Sequence, residues 1–301
     1  MAISNKQART IEEHIQLLKD RNMLFKDEEQ ASKHLSIISY YRLKGYWWDM
    51  QEDRINHQLK DNSYFEDVID RYYFDKKLRN ILFSAIELIE ISLRTKMINH
   101  LSLAYGGLWY LNASIFKNTK QFNKTLDALK KEFNRSKEIF IKEQKRNYPN
   151  DDADAWKILE VASFGTLSIM YKNLNDQLPE KSKISKEMGL NISNELSSWL
   201  EAISYVRNII AHHSRLWSRN MVKKHTYKLN NPRGAWFSHN ITPVQEKKPF
   251  LIISSMIYLC NAIDSNHSVK NNILSLFDEY PNVPIYKLGF LNKWEKQAIW
   301  K

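Results

Sequence analysis

The chain has 301 residues, enough for one large domain or two small ones, and 43% of them are hydrophobic, which excludes a wholly disordered protein. The formal net charge of +11 favours anionic partners, nucleic acid ahead of an anionic membrane surface. The single cysteine, Cys260, excludes an internal disulfide and a zinc site built from cysteines.

The N-terminal part carries two helix-start signals and one aromatic cluster. Thr10 and Glu13 form a capping-box pattern that predicts a short helix, and Asp27 can cap a second helix. The stretch YYRLKGYWWDM, residues 40–50, predicts a packed aromatic corner in which Gly45 permits close approach. The whole chain has only seven glycines and seven prolines, which favours long helices over many short strands.

A long helix is predicted next. Ser63 and Glu66 form a second capping-box pattern, after which apolar residues recur at steps of three and four to about Leu103. Gly106 and Gly107 provide the signal that ends this element.

The second half of the chain is also mostly helical in pattern. Residues 119–147 are rich in lysine with a sparse apolar stripe, which predicts an exposed amphipathic helix and a candidate for one that protrudes from the fold. A loop is predicted over 220–244, followed by a helical pair at about 248–264 and 267–279. Because no internal repeat or flexible linker is found, we predict one mostly α-helical domain over residues 1–301.

The sequence favours a cytoplasmic protein without a membrane partner. The N-terminal stretch MAISNKQARTIEEH lacks the apolar core of a signal peptide. The longest apolar run, from Phe250 to Ile263, is too short for a membrane span and predicts a buried helix. The single cysteine also fits a reducing compartment.

The stretch YVRNIIAHHSRLW is the strongest candidate for a functional site. It lies at the end of a helix predicted from about Glu195 to Ser214, and it combines apolar residues with Arg207, Asn208 and two histidines, His212 and His213. Two interpretations follow from the residues alone. One is a buried polar cluster that ties helices together, and the other is a site that handles a phosphate.

Arginine and histidine together suit cleavage of RNA. Arginine offers a permanently charged fork of donors matched to phosphate, and histidine can give or take a proton near neutral pH. In RNA the 2′-hydroxyl beside the scissile phosphate is already a nucleophile, so cleavage would need no metal and would leave 2′,3′-cyclic phosphate and 5′-hydroxyl ends. A metal site at His212 and His213 is disfavoured, because adjacent histidines project about 100° apart on a helix.

The stretch VRNIIAHHSRLWSR closely resembles the signature of the Abi-like family, the AbiD/AbiF abortive-infection proteins of bacterial phage defence. These belong to the HEPN superfamily, whose hallmark is R-x4–6-H, often R-N-x3-H. Arg207, Asn208 and His212 match the R-N-x3-H form, and His213 fits the looser spacing. The blocks ISYYRLKGYWWDM, DRYYFDKKLRNILFSAIELIEISLRTKM and ASFGTLSIMY also resemble family blocks in the same order, so the resemblance covers most of residues 10–265.

The resemblance implies an all-α, HEPN-type helical bundle with additional N- and C-terminal helices. It implies that Arg207 and His212 are catalytic and that Asn208 orients them. Glu90 and Arg94, four residues apart on the long helix, are candidates for supporting the catalytic groups from behind, and a purely structural ion pair is the alternative.

Further site candidates and partners follow from the same resemblance. His213 is a candidate supporting residue, and Arg215 and Arg219 are candidates for contacts with the RNA backbone. Because the chain has one R-N-x3-H motif and HEPN ribonucleases usually join two across a dimer, a homodimer is expected. The favoured function is an endoribonuclease effector that needs no cofactor. The alternative is a non-catalytic RNA-binding protein that scaffolds a small non-coding RNA or a partner.

Overall fold

A 41-residue helix, Phe65–Tyr105, is the element against which much of the protein packs. The computed structural model describes residues 7–223 and 225–301, and the helices in that part of the chain are α1 (Ile11–Lys19), α2 (Glu28–Ile37), α3 (Tyr40–Trp47), α4 (Phe65–Tyr105), α5 (Thr119–Arg135), α6 (Ile139–Asn147), α7 (Ala155–Ile158), α8 (Phe164–Asn173), α9 (Pro179–Glu187), α10 (Ser193–Ala211), α11 (Pro243–Lys247), α12 (Pro249–Ile263) and α13 (Val269–Glu279). Short 3-10 turns supplement them, and the predicted all-α class is confirmed.

The position of α4 follows from its sequence. Its apolar residues recur at steps of three and four and occupy more than one face, which is typical of a helix surrounded by others. Helices α3, α9, α10, α12 and α13 all pack against it. The helix ends where predicted: Gly106 takes a φ of +80°, a conformation that L side chains rarely adopt, and its N–H donates to the carbonyl of Ser102.

Within residues 7–223 and 225–301, four very short strands form two small ladders. Strands β1 (Met23–Leu24) and β4 (Ser63–Tyr64) pair in parallel, and β2 (Gln51–Asp53) pairs antiparallel with β3 (Gln58–Leu59). These ladders position the N-terminal helices on α4.

The predicted capping box at the start of α4 is wrong. Ser63 belongs to β4, and the helix begins at Phe65 without a side-chain cap. Glu66 instead accepts hydrogen bonds from the backbone N–H groups of Lys26 and Asp27, at 3.0 and 3.2 Å. A tertiary partner has therefore replaced the local one.

The capping signals nearer the N-terminus are confirmed. The Thr10 N–H donates to Glu13 Oε2 at 2.8 Å, and the Glu13 N–H donates to Thr10 Oγ1 at 3.2 Å. Asp27 caps α2 by accepting from the Gln30 N–H at 2.9 Å.

Residues 119–147 form two helices rather than the single one predicted. Helix α5 lays its apolar stripe against α8, and the chain is extended at Ser136 before α6 begins. The break is stabilised by Lys145, whose ammonium donates to the carbonyls of Phe133 and Asn134 at 3.1 and 3.0 Å. Two carbonyls at the end of α5 thus find a partner in the next helix.

The C-terminal pair is confirmed as α12 and α13. Helix α12 is buried from Pro249 through Cys260 and packs on α4, as its continuous apolar run predicts. The loop predicted before this pair is irregular over its described residues until α11. No helix in residues 7–223 or 225–301 has both the length and the apolarity needed to cross a membrane.

His225 lies on this loop and makes stability depend on pH. Its Nε2 is 3.0 Å from Ser255 Oγ, its ring meets Trp199 edge to face, and burial lowers its pKa to about 4. In the unfolded chain its pKa is about 6.5. Between pH 6.5 and 4, His225 is therefore protonated in the unfolded state and neutral in the folded state.

We expect His225 to lower the free energy of unfolding by up to about 1.4 kcal/mol per pH unit as pH falls from 6.5 towards 4. Urea denaturation at a series of pH values would measure this slope. A His225→Gln variant should show a correspondingly smaller slope in that window. Equal slopes for the two proteins would contradict the assignment.

Candidate functional site

The histidines of the R-N-x3-H motif lie at the end of α10, which finishes at Ala211 rather than at Ser214 as predicted. His213 takes a left-handed φ of +53°. The Ser214 N–H donates to the Ile209 carbonyl and the His213 N–H to the Ile210 carbonyl, both at 2.9 Å. This is the Schellman arrangement, which satisfies the last carbonyls of a helix. We call residues 212–217 the motif turn.

The polar side chains of the motif face solvent. Asn208, His212 and His213 are exposed and Arg207 is half-buried. Within the described part of the chain, no hydrogen bond or ion pair involves the side chain of any of these four residues. A buried polar cluster would need them enclosed and bonded to one another, so that interpretation is wrong. The four side chains are free to meet a ligand.

One face of α10 carries a row of residues that ends at His212. Glu201, Tyr205, Asn208 and His212 recur at steps of three and four, so they lie within about 60° of one another around the helix. Arg207 projects about 100° from Asn208 and about 140° from His212. A single chain therefore places Arg207 beside this face and not on it.

The face of α10 that bears Asn208 forms one wall of a cleft. The cleft has a volume of about 620 Å³ and lies between α8, α10 and the start of α5. Tyr205 and Asn208 line it from α10, and three lysines are present on its lining. Among the residues of the motif, Asn208 is the one that enters this lining.

Asp75, a fully buried residue of α4, binds the backbone of the motif turn. Its carboxylate accepts from the backbone N–H groups of Leu216 and Trp217, at 3.2 and 2.7 Å for Oδ1. The hydroxyl of Tyr46 donates to Oδ2 at 2.7 Å, and Arg79 Nε lies 3.3 Å from the same oxygen. Burial raises the pKa of Asp75, while these four partners act in the opposite direction.

Asp75 is not among the site residues predicted from the sequence, although its position in the sequence indicates that it is buried. Asp75 stands seven residues after Val68 and seven before Leu82, which are both fully buried. A charged residue at that position of an apolar face must be paired. The sequence does not show that its partners are backbone groups about 140 residues away.

Two arginines from the N-terminal part also hold the motif turn. Arg42 on α3 donates to the backbone carbonyl of His213. Arg71 on α4 places its guanidinium 5.8 Å from the ring centroid of Trp217, and it pairs with Asp49 at 3.1 Å. Trp217 itself is fully buried, so it packs in the core and offers no face for a base.

Arg215 and Arg219 are not free surface arginines, because the side chain of each donates to a backbone carbonyl of the motif turn. Arg215 packs on Gly45, where an added Cβ would lie 2.9 Å from its Nε, and its Nη1 donates to the Trp217 carbonyl at 2.5 Å. The predicted close approach at Gly45 is thus confirmed. Burial lowers the pKa of Arg215. Arg219 Nε donates to the Arg215 carbonyl at 2.8 Å.

The predicted pairing of Glu90 with Arg94 is confirmed. Arg94 Nη2 lies 2.9 Å from Glu90 Oε1, and the same guanidinium donates to the carbonyls of Leu159 and Ala162 at 2.9 and 3.1 Å. This clamp fixes the segment before α8, and α8 packs on α10. Close to that junction, Gly165 faces Ser204 of α10. The pair therefore reaches the motif helix through α8 and not directly.

The described residues hold no group of three or more histidine, cysteine, aspartate or glutamate side chains placed to bind a metal ion. Both histidines follow the last residue of α10, and they differ in backbone conformation, since His212 has a φ of −89° and His213 is left-handed.

A family model described as Abi-like protein matches residues 33–218, which is more than half of the chain. The chain belongs to the Abi-like family. Membership supports a role in phage defence by abortive infection. Comparison with curated proteins found no match, and comparison with solved structures found none either.

The residues that match the Abi-like family include those that hold the motif turn in place. Residues 33–218 contain α3, α4, α8 and α10, and they end just after Trp217. Every contact of Asp75, Arg42 and Arg94 described above lies inside that region. Helices α12 and α13 lie outside it and contribute buried residues to the same core.

Proposed function

We propose that this Abi-like protein is a metal-independent endoribonuclease of the HEPN type that acts in abortive infection. The observation that carries the proposal is the state of the R-N-x3-H motif. Arg207, Asn208 and His212 lie near one helix end, their side chains make no hydrogen bond or ion pair within the described residues, and buried partners hold the backbone after them. Free side chains on a rigid support are what a catalytic group needs.

The chemistry assigned to these residues is general acid–base catalysis. Arg207 binds the scissile phosphate and stabilises the negative charge that develops on it. A histidine takes the proton of the 2′-hydroxyl, whose oxygen attacks phosphorus, and a second proton donor protonates the leaving 5′-oxygen. The products are a 2′,3′-cyclic phosphate and a 5′-hydroxyl.

The test of this proposal is cleavage of RNA by purified protein in excess EDTA. We expect cleavage to persist and the product ends to be a cyclic phosphate and a 5′-hydroxyl. An oligonucleotide with a 2′-deoxy residue at the cleaved position should resist, because it lacks the nucleophile. Cleavage that EDTA stops, or that ignores the 2′-deoxy substitution, would refute the mechanism.

A second candidate function is non-catalytic RNA binding. The separation of Arg207 from His212, about 140° around an ideal helix, favours it for an isolated chain, because the two side chains leave the backbone in different directions. RNA binding without cleavage, equal in wild type and in an Arg207→Ala, His212→Ala variant, would select this candidate.

The nuclease proposal includes a homodimer with one composite site. In-line cleavage needs a proton acceptor and a proton donor on opposite sides of phosphorus, and one motif supplies a single histidine at the favoured position. Two motifs related by a twofold axis supply both, because such an interface is self-complementary. We therefore expect the end of α10 and the motif turn to lie in the dimer interface.

Mixed dimers test the composite site. Wild-type and Arg207→Ala, His212→Ala subunits with different tags can be co-expressed, and the mixed dimer can be isolated by both tags. We expect its cleavage rate to fall close to that of the double-mutant homodimer. A mixed dimer with Lys142→Ala, an exposed residue of α6, serves as the control and should keep full activity. Half of the wild-type rate in the mutant mixed dimer, or full activity in a strict monomer, would refute the composite site.

A further inference from the structure

The cleft beside the motif has the size and walls of a ligand site. Its volume of about 620 Å³ lies within the range of small-molecule sites, roughly 300–1,000 Å³. Tyr205 lines it, and Ile169 of α8 adds an apolar surface that is 44% exposed. An aromatic ring and an aliphatic side chain together provide a wall on which a flat base can rest.

Hydroxyl and amide groups in the cleft are free to bind a ligand. Ser204, Tyr205 and Asn208 all line it, and within the described part of the chain no hydrogen bond involves their side chains. These groups include both donors and acceptors, which can match the polar edge of an unpaired base.

The charge of the cleft suits a phosphate-bearing ligand. Lys117, Lys172 and Lys223 line it. Glu201 accepts from both Lys172 and Lys223 at 2.6 Å, so these three residues keep one net positive charge. Lys117 pairs with Asp176 at 3.0 Å on the surface, where a phosphate can compete for it at low cost.

The cleft and the motif share one helix face. Tyr205 and Asn208 line the cleft, and His212 follows Asn208 by one helical turn, about 5.4–6 Å along α10. Neighbouring phosphates of an extended single strand are separated by a comparable distance, so one strand can occupy both places.

We propose that this cleft binds an unpaired nucleotide of the RNA strand next to the phosphate held at the motif. The inference rests on the proposed function, since it assigns a neighbouring subsite of the same RNA. The base lies against Tyr205 and Ile169, the Ser204 hydroxyl and the Asn208 amide bind its edge, and a lysine binds its phosphate. A duplex cannot use the cleft, because its bases are paired and stacked, so the site selects single-stranded RNA.

Two variants test the cleft by opposite changes. Tyr205→Ala removes the aromatic wall. Gly165→Phe fills the cleft, since Gly165 lines it and a Cβ there meets its nearest neighbour, Ser204 Oγ, only at 3.6 Å. Tyr286→Ala is the matched control, because Tyr286 is 54% exposed and lies outside the cleft.

The measurement is the dissociation constant of a fluorescent random-sequence single-stranded RNA in a His212→Ala background, with a duplex of the same length beside it. We expect each cleft variant to weaken binding of the single strand by at least about five-fold, as loss of one stacked base does. Binding of the duplex and the Tyr286→Ala control should not change. Photo-crosslinking of 4-thiouridine RNA should label the α10 peptide that contains Tyr205.

The outcomes separate this inference from the proposed nuclease. If the cleft variants bind single-stranded RNA like their His212→Ala parent, and the same cleft substitutions made in wild type leave cleavage unchanged, the cleft assignment is wrong and the nuclease stands. If wild type binds RNA through the cleft and never cleaves it, the cleft assignment stands and the nuclease falls. Wild type that binds no RNA would overturn both.

Discussion

Replacing Arg207 or His212 by alanine should lower the rate of RNA cleavage by about 10²–10⁴-fold, the contribution typical of a positioned acid–base group. Phage protection should be lost with it. The fold should survive, because the side chains of both residues make no hydrogen bond or ion pair within the described residues, and such substitutions usually change stability by less than about 0.5 kcal/mol. Cleavage assays in EDTA and thermal melting followed by circular dichroism would measure the two effects.

His213→Ala is the matched control for His212→Ala. Both histidines are exposed and adjacent, but only His212 lies on the helix face that carries Asn208. We expect the His213 variant to lose less activity. A larger loss at His213 would move the assignment by one residue, and variants that unfold would mean that the motif is structural.

Asp75→Ala should cost about 3–5 kcal/mol of the free energy of unfolding, the largest stability effect expected of any single substitution considered for this protein. Removing the carboxylate leaves the N–H groups of Leu216 and Trp217 without their acceptor and the Tyr46 hydroxyl without its partner. It also leaves Arg79, which is 4% exposed, beside no opposite charge. Urea denaturation would measure the loss.

Asp278→Ala provides the control, because Asp278 is exposed on α13 and should change stability by less than about 0.5 kcal/mol. Tyr46→Phe removes one hydrogen bond of the same network and should cost about 1 kcal/mol. If Asp75→Ala costs no more than Tyr46→Phe, the carboxylate does not hold the motif turn.

Local patterns in the sequence predicted the features that depend on neighbouring residues. The capping box at Thr10, the end of α4 at Gly106 and the pairing of Glu90 with Arg94 all join residues at most four apart. Helical periodicity alone brings such residues together. The buried helix α12 was predicted for a similar reason, since its apolar run is continuous.

Features that depend on tertiary partners were not predictable in this way. Glu66 does not cap α4 as predicted and instead accepts hydrogen bonds from the backbone of Lys26 and Asp27, about 40 residues away. Helix α10 was expected to continue to Ser214, because the sequence alone does not show that His213 adopts the left-handed conformation, which is uncommon for residues other than glycine even though histidine adopts it more often than most. Contacts from Arg42 and Asp75 stabilise that turn from outside it.

The bond between Asp75 and Trp217 also orders events during synthesis on the ribosome. It joins residues 142 positions apart, so the carboxylate on α4 waits for its partners until nearly the whole Abi-like region has been translated. A nascent or truncated chain that ends between residues 213 and 215 carries Arg207 and both histidines but lacks the two backbone N–H groups, of Leu216 and Trp217, that bind Asp75. The motif turn can therefore take its final, anchored form only after nearly all of the family region has been synthesised.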